Sequence, residues 1–325
     1  MSKFLFTFGI IVFGLSLGYG IQDLARREIL RLPIPLGQLR KLLQKVSLLV
    51  INPFPVIGAL WVMRIRDVRI ATLPFLGMAA LLLGGFLALK TSRWLQLGRR
   101  QIGAFYACGS FTNLLSIGAL ICFVFLGEAA FALVLIYRLF EDLVYYVVGF
   151  PIARAYGSHA EEKEALGTRL KRLAFDPFVL VSVTSLSIAT LLNLSGLKRP
   201  EYYKTFNTIL IPFSVTLLLI SIGLAVRVSR IRHYLKECLV VSAIKFLIVP
   251  TVITSTGLLL GYGRIGDGLP LKVVLILSSM PVAFTALVPP SIYDLDLDLA
   301  NSCWLFTTAL LVIVVPILFF LINLF

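Results

Sequence analysis

Residues 271–292 read LKVVLILSSMPVAFTALVPPSI, an apolar run with a proline near its middle. Such a run is long enough to cross the roughly 30 Å hydrocarbon core of a bilayer as an α-helix. Pro281 removes one backbone hydrogen bond, and its ring clashes with the preceding turn. The stretch therefore predicts a membrane helix that is interrupted near mid-membrane, at Met280-Pro281-Val282-Ala283.

The composition of the whole chain is that of a membrane protein. Hydrophobic residues make up 59% of it and charged residues 14%, whereas soluble domains average about 45–50% and about 25%. A soluble globule must present a wetted exterior, and this chain lacks the polar residues to build one. Because unpaired backbone groups are too costly in lipid, the apolar runs are predicted to be helices, and the fold class is an all-α membrane protein.

Ten segments are long and apolar enough to be predicted as transmembrane helices. They are 4–20, 42–62, 70–89, 102–126, 129–152, 175–194, 205–226, 237–260, 271–292 and 301–323. The amphipathic stretch between the first two segments, 23–41, is predicted to lie along the cytoplasmic interface of the membrane.

Lys and Arg residues predict the orientation of these helices. The chain has 30 of them and a net charge of +14, and most sit in short connectors. If the N-terminus is outside, the inner connectors hold about twice as many Lys and Arg as the outer ones, which is the bias that cytoplasmic loops show. Both termini are therefore predicted outside, in a bacterial inner (plasma) membrane. The same distribution argues against nucleic acid as a partner.

The two halves of the sequence resemble each other at nearly constant spacing. Lys45, Pro53 and Phe54 correspond to Lys204, Pro212 and Phe213; Arg64-Ile65-Arg66 corresponds to Arg230-Ile231-Arg232; and Pro151 corresponds to Pro316. The pattern predicts a first five-helix repeat at 1–153, a cytoplasmic connector at 154–172 and a second repeat at 173–325. Since five is odd, the second repeat must enter the membrane inverted. Inverted repeats are typical of secondary transporters, whose binding sites lie at interrupted helices near the midplane.

The fourth segment carries a counterpart to the break at Pro281. Residues 112–118 read TNLLSIG, in which Asn and Ser can bond freed backbone groups and Gly permits close approach. Because the two breaks take the fourth place in each half, a small organic anion is predicted to bind between helices four and nine near mid-membrane, held by amide groups and a half-helix dipole. The predicted substrate-binding residues are Asn113, Ser116, Ile117, Gly118, Met280, Pro281, Val282 and Ala283.

Further short motifs follow in order along most of the chain. They are Asn113 with Gly118, Asp176-Pro177, Pro212, Leu219 to Leu224, Ile244-Lys245-Phe246 with Pro250, Met280 to Ala283, Tyr293-Asp294, Leu299 to Ser302, and Pro316. Together they resemble the auxin efflux carrier family of the bile/arsenite/auxin-type transporter superfamily. The resemblance implies ten helices, two of them crossing at their breaks. It also implies transport of organic anions such as auxins, malonate or malate, bound at the family's helix-four asparagine, which Asn113 matches. The family has a proline shortly after that asparagine, where this chain has Leu120.

Charged residues in the fifth segment have two open interpretations. Arg138, Glu141 and Asp142, with Tyr145 and Gly149, share one face of a helix. Charges in a membrane need partners or a cavity. The residues form either an ion cluster that docks the fifth helix, or a site at which Arg138 attracts an anion or Glu141 takes a proton.

Lys245 lies inside the eighth segment. Its ammonium group could extend to the cytoplasmic surface on its apolar stem, or it could face a cavity. The sequence leaves both alternatives open. With Arg138 and Glu141, Lys245 completes the residues that are predicted to take part in a charge or proton relay.

An enzyme is not expected from this sequence. Membrane prenyltransferases need two acidic metal loops, and the chain has one, at 294–298. Intramembrane proteases need paired aspartates or a Ser/His pair in spans, whereas His159 and His233 lie in connectors. The four cysteines lack a CxxC spacing, so neither a metal nor a cofactor is expected.

Three functions stay open at this stage: an alternating-access transporter of an auxin-like or other carboxylate, a sodium-coupled organic anion symporter, and a transporter-like sensor without transport. The expected partners are a small organic anion and membrane lipid, and a homodimer is one assembly left open.

Overall fold

A computed structural model describes residues 2–63, 67–157, 166–226 and 231–324, and these residues form helices joined by short connections. The α-helices are α1 (Ser2–Arg26), α2 (Leu36–Lys45), α3 (Pro53–Trp61), α4 (Leu73–Trp94), α5 (Arg99–Ser110), α6 (Ala119–Leu126), α7 (Glu128–Tyr137), α8 (Glu141–Val144), α9 (Phe150–Ala155), α10 (Leu166–Ala174), α11 (Pro177–Leu194), α12 (Tyr202–Gly223), α13 (Leu235–Ala243), α14 (Val249–Leu259), α15 (Leu269–Ser278), α16 (Val288–Ile292), α17 (Leu297–Ala309) and α18 (Leu311–Ile322). In the described residues the extended backbone amounts to one isolated β-bridge. The all-helical fold class is therefore confirmed.

Six of the ten predicted spans, or seven if one bent pair is counted, appear among the described residues as apolar helical runs of spanning length. Six are continuous: Leu5–Arg26, Leu36–Trp61, Val68–Trp94, Pro177–Leu194, Tyr202–Gly223 and Ile231–Leu259. A seventh forms if α17 and α18, which are bent by 46°, count as one span. The predicted spans 102–126, 129–152 and 271–292 are each divided into shorter helices. The chain is an integral membrane protein by these helices, while ten spans in inverted repeats stay a prediction.

The described chain packs as two compact units, and each draws on both halves of the sequence. Unit 1 contains Met1–Ile65, Leu115–Ala132 and Phe175–Val226. Unit 2 contains Arg66–Leu114, Leu133–Ala174 and Arg227–Phe325. The predicted division into 1–153, 154–172 and 173–325 follows chain order instead.

Some residues named in the sequence predictions lie outside the described residues. They are Arg64-Ile65-Arg66, Arg230, and residues 158–165 of the connector, which include His159.

In unit 1, glycines allow α1 to pack closely on α12. A β-carbon at Gly18 would lie 2.2 Å from the carbonyl oxygen of Ile220, and one at Gly14 would lie 2.6 Å from Cβ of Leu219. The backbones thus approach to a distance that no larger residue allows. Small residues serve this purpose in membrane helices, where packing replaces the hydrophobic effect as the force between helices.

Unit 1 also contains a largely buried ion pair. Arg199 donates hydrogen bonds to Glu128 and to the carbonyl oxygen of Gly58, the latter at 2.7 Å. Asn207 donates a further bond to the Glu128 carboxylate at 2.5 Å. Because both charges have several partners, the pair can be held away from water.

Three of the four π-helical segments in the described chain end just before a proline. They are Val46–Ile51 before Pro53, Tyr145–Gly149 before Pro151, and Ile244–Ile248 before Pro250. Proline cannot donate the usual bond and clashes with the carbonyl four residues earlier. A wider turn relieves that clash and rotates the side chains within it. Two of these segments, in unit 2, carry the side chains Tyr145 and Lys245.

The acidic loop 294–298 has structural partners within unit 2. Asp294 pairs with Arg100 at 2.5 Å. Asp296 caps α17 by accepting the Leu299 amide at 2.9 Å, and it accepts the Tyr234 hydroxyl at 2.9 Å. In the part of the chain that the structure describes, no group of three acidic, Cys or His side chains is arranged to hold a metal ion. The loop thus caps α17 and links it to Arg100 and Tyr234.

Candidate functional site at the paired helix breaks

Two helices of unit 2 stop where the sequence predicts breaks. α5 ends at Ser110, and Phe111 is extended with φ −79° and ψ 125°. α15 ends at Ser278, and Ala283 is extended with φ −72° and ψ 150°. The first break forms without a proline, so the Asn and Gly signals in this segment were sufficient to predict it.

The two extended segments pair with each other in an antiparallel bridge between Thr112 and Val282. The Asn113 amide donates to the Pro281 carbonyl at 3.0 Å, and the Ala283 amide donates to the Phe111 carbonyl at 3.1 Å. Pro281 has no amide hydrogen, yet its carbonyl accepts one of the two bonds. Each break therefore satisfies backbone groups that the other leaves open, which is how irregular backbone is tolerated inside a membrane protein.

The remaining amides at this crossing also have partners inside unit 2. The Thr112 amide donates to the Tyr145 hydroxyl at 3.0 Å, and the Val282 amide donates to the Thr307 hydroxyl at 3.3 Å. The expectation that broken helices offer free amides to a carboxylate is therefore wrong at these positions. Pairing between the breaks and with Tyr145 and Thr307 occupies these four donors.

Among the described residues, Lys245 is a charged side chain that bonds the crossing directly. Its Nζ donates to the Thr112 hydroxyl at 2.6 Å and to the Phe111 carbonyl at 3.2 Å. The residue is only 2% exposed. Of the two alternatives for Lys245, extension to the cytoplasmic surface is wrong, because the amine is held in the interior by the unwound segment.

The charged cluster of the fifth segment connects to the same place. Arg138 and Glu141 form an ion pair at 2.7 Å, and the Tyr145 hydroxyl donates to the other Glu141 oxygen at 3.1 Å. The Tyr145 ring stacks on Phe111 with centroids 4.0 Å apart. The ion pair agrees with the docking interpretation of this cluster, and Tyr145 joins the cluster to the crossing.

All eight predicted substrate-binding residues are buried, but they divide between the two units. Asn113, Met280, Pro281, Val282 and Ala283 belong to unit 2. Ser116, Ile117 and Gly118 belong to unit 1. Unit 2 thus contains the crossing itself, with the Asn113 side chain 5% exposed and Met280 fully enclosed.

The sequence prediction missed Thr112 and Thr307 as structural partners at the crossing. Thr307 also donates to the Cys303 carbonyl at 2.8 Å, which is an ordinary bond for a threonine in a membrane helix. Its second role, accepting from an amide 25 residues away, leaves no mark in the local sequence. For Thr112, the signal available in the sequence was its position next to Asn113 in the predicted break.

The fold and this crossing define a polytopic helical membrane protein with two paired helix breaks. No protein-family profile matches the chain. It is 32% identical, over 104 residues, to a protein of Methanothermobacter thermautotrophicus described as an uncharacterized transporter. The match covers 32% of this chain and 33% of that relative, so it spans about a third of either protein.

Proposed function

We propose that this protein is a secondary transporter that moves a small organic anion, an auxin-like or other carboxylate, by alternating access around the crossing. The observation that carries the proposal is the pairing of 111–113 with 281–283. Paired interruptions of this kind are where secondary transporters hold their substrates and ions. The description of the matched relative as a transporter agrees with this class.

Charge at the crossing favours an anion as the substrate. Arg138 is neutralised by Glu141, whereas the contacts of Lys245 in the described structure are with uncharged oxygens. An uncompensated charge in a membrane costs several kcal/mol. A bound carboxylate would offset part of that cost, because it brings the opposite charge to the crossing.

Asn113 is the residue that we assign to substrate. It lies on the segment that pairs with Pro281, and its side chain offers both donor and acceptor groups. Met280 next to the second break supplies apolar surface for the body of the ligand. This combination suits a hydrophobic carboxylate better than a small dicarboxylate.

The wider arrangement completes the proposal. The proposal also includes ten spans in two inverted five-helix repeats and membership of the auxin efflux carrier family. It places the protein in a bacterial inner membrane with both termini outside. The six or seven apolar helical runs and the repeated proline positions support this arrangement.

Substitution of Asn113 tests the binding assignment. Asn113→Ala removes one hydrogen bond to a charged group, and such bonds contribute about 1.5–3 kcal/mol. Carboxylate affinity should fall about ten- to a hundredfold, with the fold intact. Affinity is measured from the shift in melting temperature of purified protein over a panel of carboxylates.

A matched control comes from Asn323, an exposed residue near the end of α18 that bonds only locally, to the Phe319 carbonyl at 2.7 Å. Asn323→Ala should bind the same carboxylate with wild-type affinity. If folded Asn113→Ala binds as tightly as this control, the assignment of substrate to the crossing is wrong.

A further inference from the structure

Lys245 occupies a site built from cation ligands. Its Nζ lies 2.6 Å from the Thr112 hydroxyl oxygen and 3.2 Å from the Phe111 carbonyl oxygen. Both oxygens belong to the unwound segment that follows α5. Unwound carbonyls and the carboxyl ends of half-helices are the groups that coordinate sodium in secondary transporters with broken helices.

The surroundings favour a positive charge at this point. The Thr112 hydroxyl is directed toward the Ser110 carbonyl at 3.4 Å, so it presents lone pairs to Lys245. α5 spans twelve residues, Arg99–Ser110, and the carboxyl end of a helix carries partial negative charge. A protonated amine satisfies these acceptors, whereas a neutral amine would add a lone pair that needs a donor.

Carboxylates do not neutralise this amine in the described part of the chain. Glu141 is committed to Arg138 at 2.7 Å and to the Tyr145 hydroxyl at 3.1 Å. Lys245 bonds only uncharged oxygens there. An ammonium group has three N–H donors, and these two bonds use two of them. The amine is thus held by dipoles alone, as a bound sodium ion would be.

We propose that the Lys245 ammonium group takes the place of a coupling sodium ion at the crossing. The inference rests on the proposed transport function and narrows it: the anion is carried without cotransported sodium. The proposal therefore excludes the sodium-coupled alternative, because the Lys245 side chain supplies the positive charge that a bound sodium ion would supply.

Sodium dependence of stability tests the inference without any substrate. Melting temperatures are measured in sodium chloride and in choline chloride at equal ionic strength and at the same pH. The wild-type protein should melt at the same temperature in both salts. Lys245→Ala should melt lower in choline and regain about 2–4 °C as sodium rises, saturably, because sodium can enter the vacated space between the two oxygens.

Two matched variants make the test specific. Lys245→Met removes the charge but fills the space, so it should show no sodium response. Lys236→Ala, at an exposed lysine of α13, should behave as wild type in both salts. A sodium response of the wild-type protein, or a folded Lys245→Ala protein without one, overturns the proposal.

Binding of radiolabelled sodium to wild-type protein keeps the inference testable if the Lys245 variants fail to fold. Absence of saturable binding supports the resident ammonium group, and saturable binding contradicts it. Failure of the proposed function looks different, since it would appear as absence of carboxylate uptake in either salt.

Discussion

Arg138 and Glu141 form a buried pair whose energetics can be measured. Arg138→Leu would leave the Glu141 carboxylate buried with the Tyr145 hydroxyl as its described partner. Breaking one side of a buried pair costs about 3–5 kcal/mol. Arg138→Leu should therefore lower the free energy of unfolding by about that amount, as measured by denaturation in detergent.

The double variant Arg138→Leu/Glu141→Gln is the matched comparison. It removes both charges and retains a partner for Tyr145, so it should be more stable than Arg138→Leu alone. Equal stability of the two variants would contradict the docking role. A stable Arg138→Leu protein that loses carboxylate affinity would instead assign Arg138 to the substrate.

Residues that are close in sequence were predictable, and distant partners were not. The Arg138–Glu141 pair follows from a spacing of three on a helix, because such residues share a face. Lys245 bonds Phe111 and Thr112, more than 130 residues away. That contact depends on how unit 2 packs, so the local pattern left its role as an open alternative.

Helix packing at the scale of elements depends on glycines that face backbone. At Gly18 a β-carbon would lie 2.2 Å from the Ile220 carbonyl oxygen, whereas Gly9 on the same helix has nothing within 4 Å. Gly18→Val should lower the free energy of unfolding by about 1–3 kcal/mol or prevent folding. Gly9→Val is the control and should have little effect. Equal melting temperatures of the two variants would show that α1 does not pack on α12 in this way.

Helix breaks were predictable where the sequence contains a breaker. Pro281 and the pattern at Asn113 and Gly118 mark two places at which the structure interrupts a helix. That these are helices four and nine of two inverted repeats stays a prediction. The turn at 138–140 in the fifth segment was missed, since no Gly or Pro marks it. The π-helical turns were missed as well, because a proline predicts a disturbed helix but not how the preceding turn absorbs it.

That the whole molecule is a membrane protein follows from its composition, because a chain with 59% hydrophobic residues needs lipid around its helices. The two compact units do not follow from it. Each combines segments from both halves of the chain, and such grouping depends on contacts between distant helices. The repeated proline positions predict related halves, but they do not indicate which helices pack together.

Uptake of labelled carboxylates into proteoliposomes tests the transport claim most directly. The purified protein is reconstituted with choline or sodium as the external cation, and a panel of aromatic, aliphatic and dicarboxylic acids is offered. We predict saturable uptake of at least one hydrophobic carboxylate, equal in both salts and weakened at low substrate concentration by Asn113→Ala. Uptake no greater than in protein-free liposomes, for every acid of the panel, would contradict the account.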